Sequence, residues 1–182
     1  MKNAAKIMLA ALFVAAGVRA EDKPAPKPPK RHQGEGRIYE KKITASFVPA
    51  KDWEQGKNVT GSYLIFRGPA NERSPNVNVS TFSHQGVPIT QVGPAMKNVH
   101  AKGIADWKVI DEGFVTIDGK KSYFFSGKYT RDLGDRKEEM QTISYYVPGI
   151  SRGYVISFLT NAEKFEGLKP TIEEMAKSFR GD

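Results

Sequence analysis

Three histidines, a serine between glycines and one acidic turn are the features of this 182-residue chain that approach catalytic or metal chemistry. His32 sits in a proline-rich stretch, His84 follows an alternating run beside Gly86, and His100 comes one step after Val99. No two of them share a metal-ligand spacing such as His-x₃-His. His84 is the candidate binding residue, because a loop imidazole can join a carboxylate brought from elsewhere; a plain loop histidine is the simpler role. His100 reads as a solvent-facing helix residue. "GISRG" (149–153) matches the nucleophile pattern Gly-x-Ser-x-Gly. It joins two antiparallel strand-like runs, whereas a nucleophile elbow needs a strand-to-helix turn, so it reads as a hairpin loop.

"RDLGDRKEE" (131–139) carries Asp132, Asp135, Glu138 and Glu139. A calcium loop needs oxygen ligands at fixed alternating positions. These acids lack that spacing, and Arg131, Arg136 and Lys137 would repel a cation, so the segment reads as a solvated turn. Trp53 and Trp107 offer stacking surfaces, but at strand ends they read as the rim of a core. Asn58-Val-Thr and Asn78-Val-Ser match the glycosylation pattern; both are discounted, the second because it falls within a strand and the leader looks bacterial. There is no phosphate-binding glycine loop. No catalytic residue, metal or cofactor is assigned.

Such groups need a scaffold, and the chain begins with something other than scaffold. "MKNAAKIMLAALFVAAGVRA" has Lys2 and Lys6, an apolar run Ile7–Val18 too short to cross a bilayer, and small residues Val18 and Ala20 before a cut. It reads as a signal peptide, residues 1–20, cleaved after Ala20 into a periplasmic or secreted protein. With no cysteine, a thiol lipid anchor and disulfides are excluded. Residues 21–42 hold Pro24, Pro26, Pro28 and Pro29 with little to bury, and read as a disordered arm. Its Lys23, Lys27, Lys30 and Arg31 are candidate contacts for an acidic partner or an anionic membrane surface, or merely a solvated spacer. The net charge of +8 belongs mostly to these segments: Lys2, Lys6 and Arg19 leave with the leader, and residues 21–42 hold seven Lys/Arg against four Asp/Glu. Residues 43–182 are left near +2, which removes most of the case for nucleic acid.

That body, residues 43–182, reads as one domain. "ITASF", "SYLIF" and "NVNVSTF" alternate as strands. Ile89, Val92, Met96, Val99 and Ile104 shift to helical spacing, and Gly93-Pro94 predicts a helix from about Pro94 to Lys102. "WKVIDEGFVTI" and "KKSYFFSGKYT" meet at Asp118-Gly119, a hairpin signal because both turn positions need positive φ. "EEMQTISYYV" and "GYVISFLT" follow. The last is apolar on both faces, Tyr154, Ile156 and Phe158 against Val155 and Leu159, so it must be central and covered twice. Phe165, Leu168, Ile172, Met175 and Phe179 make one helical stripe. Asn161 suits an N-cap, and Pro170 predicts a break after a short turn at 161–166, with the main helix at about 169–180.

The order "FVPAKDW" (47–53), "SYLIFRGP" (62–69), "PNVNVS" (75–80), "IDGKKSYFFSGKY" (117–129) and "GYVISFLTNAEKFEGLKPTIEEMAKSFR" (153–180) resembles the PsbP-like family, with its DcrB-like bacterial and Ran-binding Mog-type members. The resemblance covers most of residues 43–180. It implies an α+β fold, an antiparallel sheet of six to seven strands between helices. It implies accessory or binding roles and supplies no catalytic set. Many envelope relatives carry a lipid-anchoring cysteine that this chain lacks. The expectation is an exported non-catalytic binding protein with an envelope protein as partner. The alternative is a small-molecule or metal-binding periplasmic protein with a pocket between sheet and helix.

Overall fold

The computed structural model describes residues 33–34, 36–57, 60–69 and 75–182. Seven strands form the main sheet, in the order β3 (Glu54–Gln55), β4 (Leu64–Arg67), β5 (Asn76–Phe82), β9 (Gly153–Asn161), β8 (Lys137–Val147), β7 (Lys120–Asp132), β6 (Lys108–Ile117). Each neighbouring pair is antiparallel. A smaller sheet sets β2 (Ala45–Phe47) between β1 (Ile38–Glu40) and β10 (Arg180–Gly181). The fold is α+β, with helix α1 (Ile89–Gly103) on one face of the main sheet and α2 (Ala162–Ser178) on the other.

β9 is central, between β5 and β8, as its two apolar faces require. Tyr154, Ile156 and Phe158 pack with Phe165, Ile172, Met175 and Phe179 beneath α2. Val155 turns the other way, to Tyr123, Phe125 and Tyr146 under α1. The β6–β7 hairpin closes through Asp118 (φ 53°) and Gly119 (φ 71°), both left-handed as a two-residue turn demands.

Four expectations change. Residues 36–42, read as the end of an unfolded arm, belong to the folded body: β1 pairs Ile38 with Phe47 and Glu40 with Ala45. α1 begins at Ile89 and carries Pro94 inside it. α2 is continuous from Ala162 to Ser178 across Pro170. An internal proline costs about 3 kcal/mol. Pro170 lies on the exposed side of α2, while Phe165, Ile172 and Met175 are buried on either side of it. Each such burial stabilises by about 1.5–3 kcal/mol, which outweighs the lost bond. Asn161 takes the N-cap position of α2 without a side-chain capping bond.

The fourth change is His100, which faces inward. Gly93, Met96 and His100 share the inner side of α1, at helical spacings of three and four, while Val99 is exposed. The His100 ring stacks on Trp107 at 6.0 Å and meets Phe125 edge-on at 5.2 Å.

Candidate functional site

A solvent-open groove of about 930 Å³ lies beside α2. One wall is α2, through Lys164, Gly167, Leu168, Thr171, Glu174 and Met175. The other is the segment after β2, Val48 to Lys51, with Trp53. Pro69 and Pro75, at the ends of β4 and β5, close one flank.

Local structure holds these walls. The backbone N–H of Val48 donates to Ser178 Oγ at 3.0 Å, and Ser178 Oγ donates to the Met175 carbonyl at 2.7 Å. The segment after β2 is thus fastened to the last turn of α2. A tight turn returns the Trp53 N–H to the Ala50 carbonyl at 3.1 Å, with Asp52 at φ 67°. The indole then lies across Gly68, where a Cβ would stand 3.2 Å from Trp53 Cε2 and 2.6 Å from Pro75 Cγ. Gly68 is the small residue that lets indole and proline meet on the strand end.

The groove is therefore an apolar trough of indole, proline rings, Leu168 and Met175, with Lys51, Lys164 and Glu174 on its walls. Ser178 Oγ, at the end of the groove, is committed to the Val48 N–H and the Met175 carbonyl. No histidine lines the groove. Among the described residues no group of three or more His, Asp or Glu stands close enough to hold a metal ion. The arrangement suits binding of an apolar, extended ligand.

Of the candidate site residues, Lys23, Lys27, Lys30 and Arg31 lie outside the described residues, as does the leader. His84 follows the far end of β5 from the groove residue Pro75, edge-on to Phe82 at 6.2 Å. Its Nδ1 accepts from the Gly86 N–H at 3.3 Å and its Nε2 stands 3.2 Å from the Gly149 carbonyl. Those partners fit the Nε2–H tautomer and tie the loop after β5 to the β8–β9 loop. "GISRG" lies in that β8–β9 connection, between antiparallel strands.

The acidic turn is laced by ion pairs. Glu138 accepts from Arg131 Nη2 at 2.7 Å and Arg136 Nε at 2.9 Å, and Lys128 reaches Glu139 at 3.2 Å. The bonds from Arg131 and then Arg136 hold the Glu138 carboxyl below its ordinary range.

Beneath α1, Trp107 stacks on Tyr129 and stands edge-on to Phe125, over Gly127, where any Cβ would strike the indole. Burial holds the His100 imidazole below its ordinary range, against a weaker main-chain bond at Met96 that raises it. Rings of His100, Trp107, Phe125 and Tyr129 pack on one another in this cluster.

The sequence reading held a pocket between sheet and helix as its alternative but assigned none of these lining residues to it, although Trp53 was noted as a stacking surface. Its lining comes from segments near 48–53, 69, 75 and 164–178, which no local pattern links.

Comparison with family models and with curated protein sequences returns no match. Solved structures do match. Cyanobacterial PsbP (CyanoP) from Synechocystis sp. PCC 6803 is similar at 18% identity and TM-score 0.58, over 80% of this chain and 91% of that one. LpqN of Mycobacterium tuberculosis, involved in cell envelope biogenesis, is similar at 9% identity and TM-score 0.55, over 79% and 87%. The Saccharomyces cerevisiae Ran-binding protein Mog1p is similar at 8% identity and TM-score 0.55, over 80% and 94%. At these identities the likeness is one of architecture, and it agrees with the order of strands and helices described above: the chain has a PsbP-like fold.

Proposed function

We propose that this chain is an exported, non-catalytic accessory protein of the cell envelope that works by protein–protein contact, receiving an extended apolar segment of its partner in the groove beside α2. The observation that carries the reading is the trough itself, lined by Trp53, Leu168 and Met175 with the rings of Pro49, Pro69 and Pro75. Aromatic and proline surfaces in an open groove are what extended peptide segments dock against. Export rests on the leader at residues 1–20, and the absence of cysteine leaves the mature chain without a thiol lipid anchor. Similar folds include a protein involved in envelope biogenesis and a Ran-binding protein, which supports a contact role. Lys23, Lys27, Lys30 and Arg31 would assist docking at an acidic partner or an anionic membrane surface. A second reading takes the groove as a small-molecule site, favoured by Lys51 and Lys164 above an apolar floor, which suits a carboxylate-bearing amphiphile.

A photo-crosslinking side chain at Thr171 tests the first reading in envelope extract. Gly167 has no atom within 4 Å of a built Cβ, so Gly167→Trp fills the groove mouth from open space and Gly167→Ala serves as control. The expected result is a discrete protein adduct that Gly167→Ala keeps and Gly167→Trp loses. Adducts equal in both variants, or a small molecule retained in native mass spectra with no protein adduct, would overturn it.

A further inference from the structure

Three connections leave the main sheet at one end. Phe82 pairs with Gly153 and Val147 with Tyr154, which sets the loop after β5 beside the β8–β9 loop. Ile117 pairs with Lys120 and Tyr123 with Tyr146, which brings the Asp118-Gly119 turn to the same end. In the β8–β9 loop stands Ile150, 87% exposed; the next most exposed large apolar side chains among the described residues, Val99 and Ile110, reach 54%. Its loop is braced. The Ile150 N–H donates to the Asp182 carbonyl at 3.2 Å, and the Gly149 carbonyl stands 3.2 Å from His84 Nε2. A Cβ at Gly149 would overlap the carbonyls of Arg152 and Asp182, so the backbone there is closely packed. The Tyr154 hydroxyl stands 3.0 Å from both the Ile43 and the Asp182 carbonyls. A loose loop would fold its isoleucine back onto the body, and this one holds it outward. Exposed Val87 adds a second apolar side chain, from the loop that His84 ties to the tip.

The same end gathers cations. Exposed Lys41 and Lys42 precede Ile43, Lys121 follows the Asp118-Gly119 turn, and Arg152 stands two residues after Ile150. Lys120 and Arg180 share Asp118, at 3.7 and 3.6 Å. Against these six cations stand Glu40, Asp118 and Asp182. The opposite end of the sheet is unlike it: in the β7–β8 turn, exposed Leu133 sits among Asp132, Asp135, Glu138 and Glu139. We infer that the Ile150 end is a membrane-docking surface, with Ile150 entering the headgroup boundary of an anionic phospholipid bilayer and Lys41, Lys42, Lys121 and Arg152 meeting its phosphates. Interfacial binding needs this pairing, an apolar side chain to insert and cations to hold the charged surface. A protein partner is a poorer match, because a stable interface buries about 1,200 Å² or more, far beyond one isoleucine and the edge of a valine. The seven residues of β5, at about 3.3 Å each, separate this end from Pro75 of the groove, so docking leaves that flank clear of the bilayer.

The test uses chain 21–182 with vesicles of phosphatidylglycerol mixed equally with phosphatidylcholine, and with phosphatidylcholine alone. Binding is expected on the mixed vesicles only. Ile150→Ser, at a site too exposed to disturb the fold, should weaken it by about tenfold. Arg152→Gln should weaken it by about fivefold, the share of one cation near an anionic surface. The cysteine-free chain also accepts a single fluorophore, at Ile150→Cys or at Leu133→Cys. The label at 150 should pass into an apolar medium and be quenched by lipid-borne nitroxide, while the label at 133 stays in water. Absence of binding, binding that Ile150→Ser leaves intact, both labels remaining in water, or a label at 150 that responds to envelope proteins and not to vesicles would each overturn the inference. The Thr171 adduct is read without vesicles, so the groove reading stands or falls separately.

Discussion

Gly93 of α1 lies directly on the Tyr123 ring of β7, so close that a Cβ on the helix would overlap the ring. That contact sets the height of α1 above the sheet and explains why a glycine stands mid-helix, where it costs about 1 kcal/mol in helix propensity. Around it, Ile89 and Met96 reach the same small core of Tyr123, Phe125, Tyr146 and Val155.

Gly93→Ala should therefore destabilise the protein by about 1–3 kcal/mol despite the better helix former, because overpacking forces helix and ring apart. Urea denaturation reads this directly. An unchanged or raised midpoint would show that α1 rides higher on the sheet than described.

Gly167→Ala should do the opposite. The site faces open space inside α2, so the substitution stabilises by roughly 0.5–1 kcal/mol through helix propensity alone. The paired result, one glycine indispensable and one replaceable in helices of similar length, checks both placements by thermal or urea unfolding.

His100 should make stability fall as solution acidifies. Burial among Trp107, Phe125 and Tyr146 keeps its folded pKa below the ordinary value. The unfolded chain then takes up the proton first, so this contribution is complete above about pH 6.5 and is lost as pH falls below it. Melting temperature should drop between about pH 7.5 and pH 5.5, and His100→Gln should flatten that slope. Equal slopes in both proteins would place the imidazole in water.

Lys97 and Glu112 join α1 to β6, with Lys97 Nζ at 2.7 and 2.8 Å from the two carboxylate oxygens. The bond from Lys97, and then that from the Tyr123 hydroxyl, hold the Glu112 carboxyl below its ordinary range. Its contribution is present above the unfolded carboxylate pKa and lost as pH falls through the folded one. The pair is solvent-exposed, so Lys97→Met should cost under about 1 kcal/mol at low salt, and the difference from the parent should shrink as salt is added. A loss unaffected by salt would mean that the Lys97 side chain acts by packing.

Much of the scaffold was legible because its signals are local. The alternation in "NVNVSTF", the Asp118-Gly119 turn and the α2 stripe each lie within one element, where period and backbone preference suffice. Both helix starts were misjudged at prolines, since the local cost of Pro94 and Pro170 was visible and the burial that offsets it was not. His100 was placed outward because, next to Val99, the apolar residue seemed the one to bury. The aromatic pocket of Trp107 and Phe125 that takes the imidazole instead is assembled from two other strand regions. Ile38–Glu40 fell within the 21–42 segment read as a disordered arm, and it is held by pairing with β2.

From residue order alone came the cysteine-free chemistry, the α+β class and a central strand covered on both faces, because each follows from composition or from a period of two or 3.6 residues. The tertiary structure alone decided the groove, the fastening of Arg37 at its rim and the inward turn of His100. These depend on contacts between residues as much as 141 positions apart, Arg37 and Ser178 among them, and no local pattern encodes which distant segments the packed core will bring together.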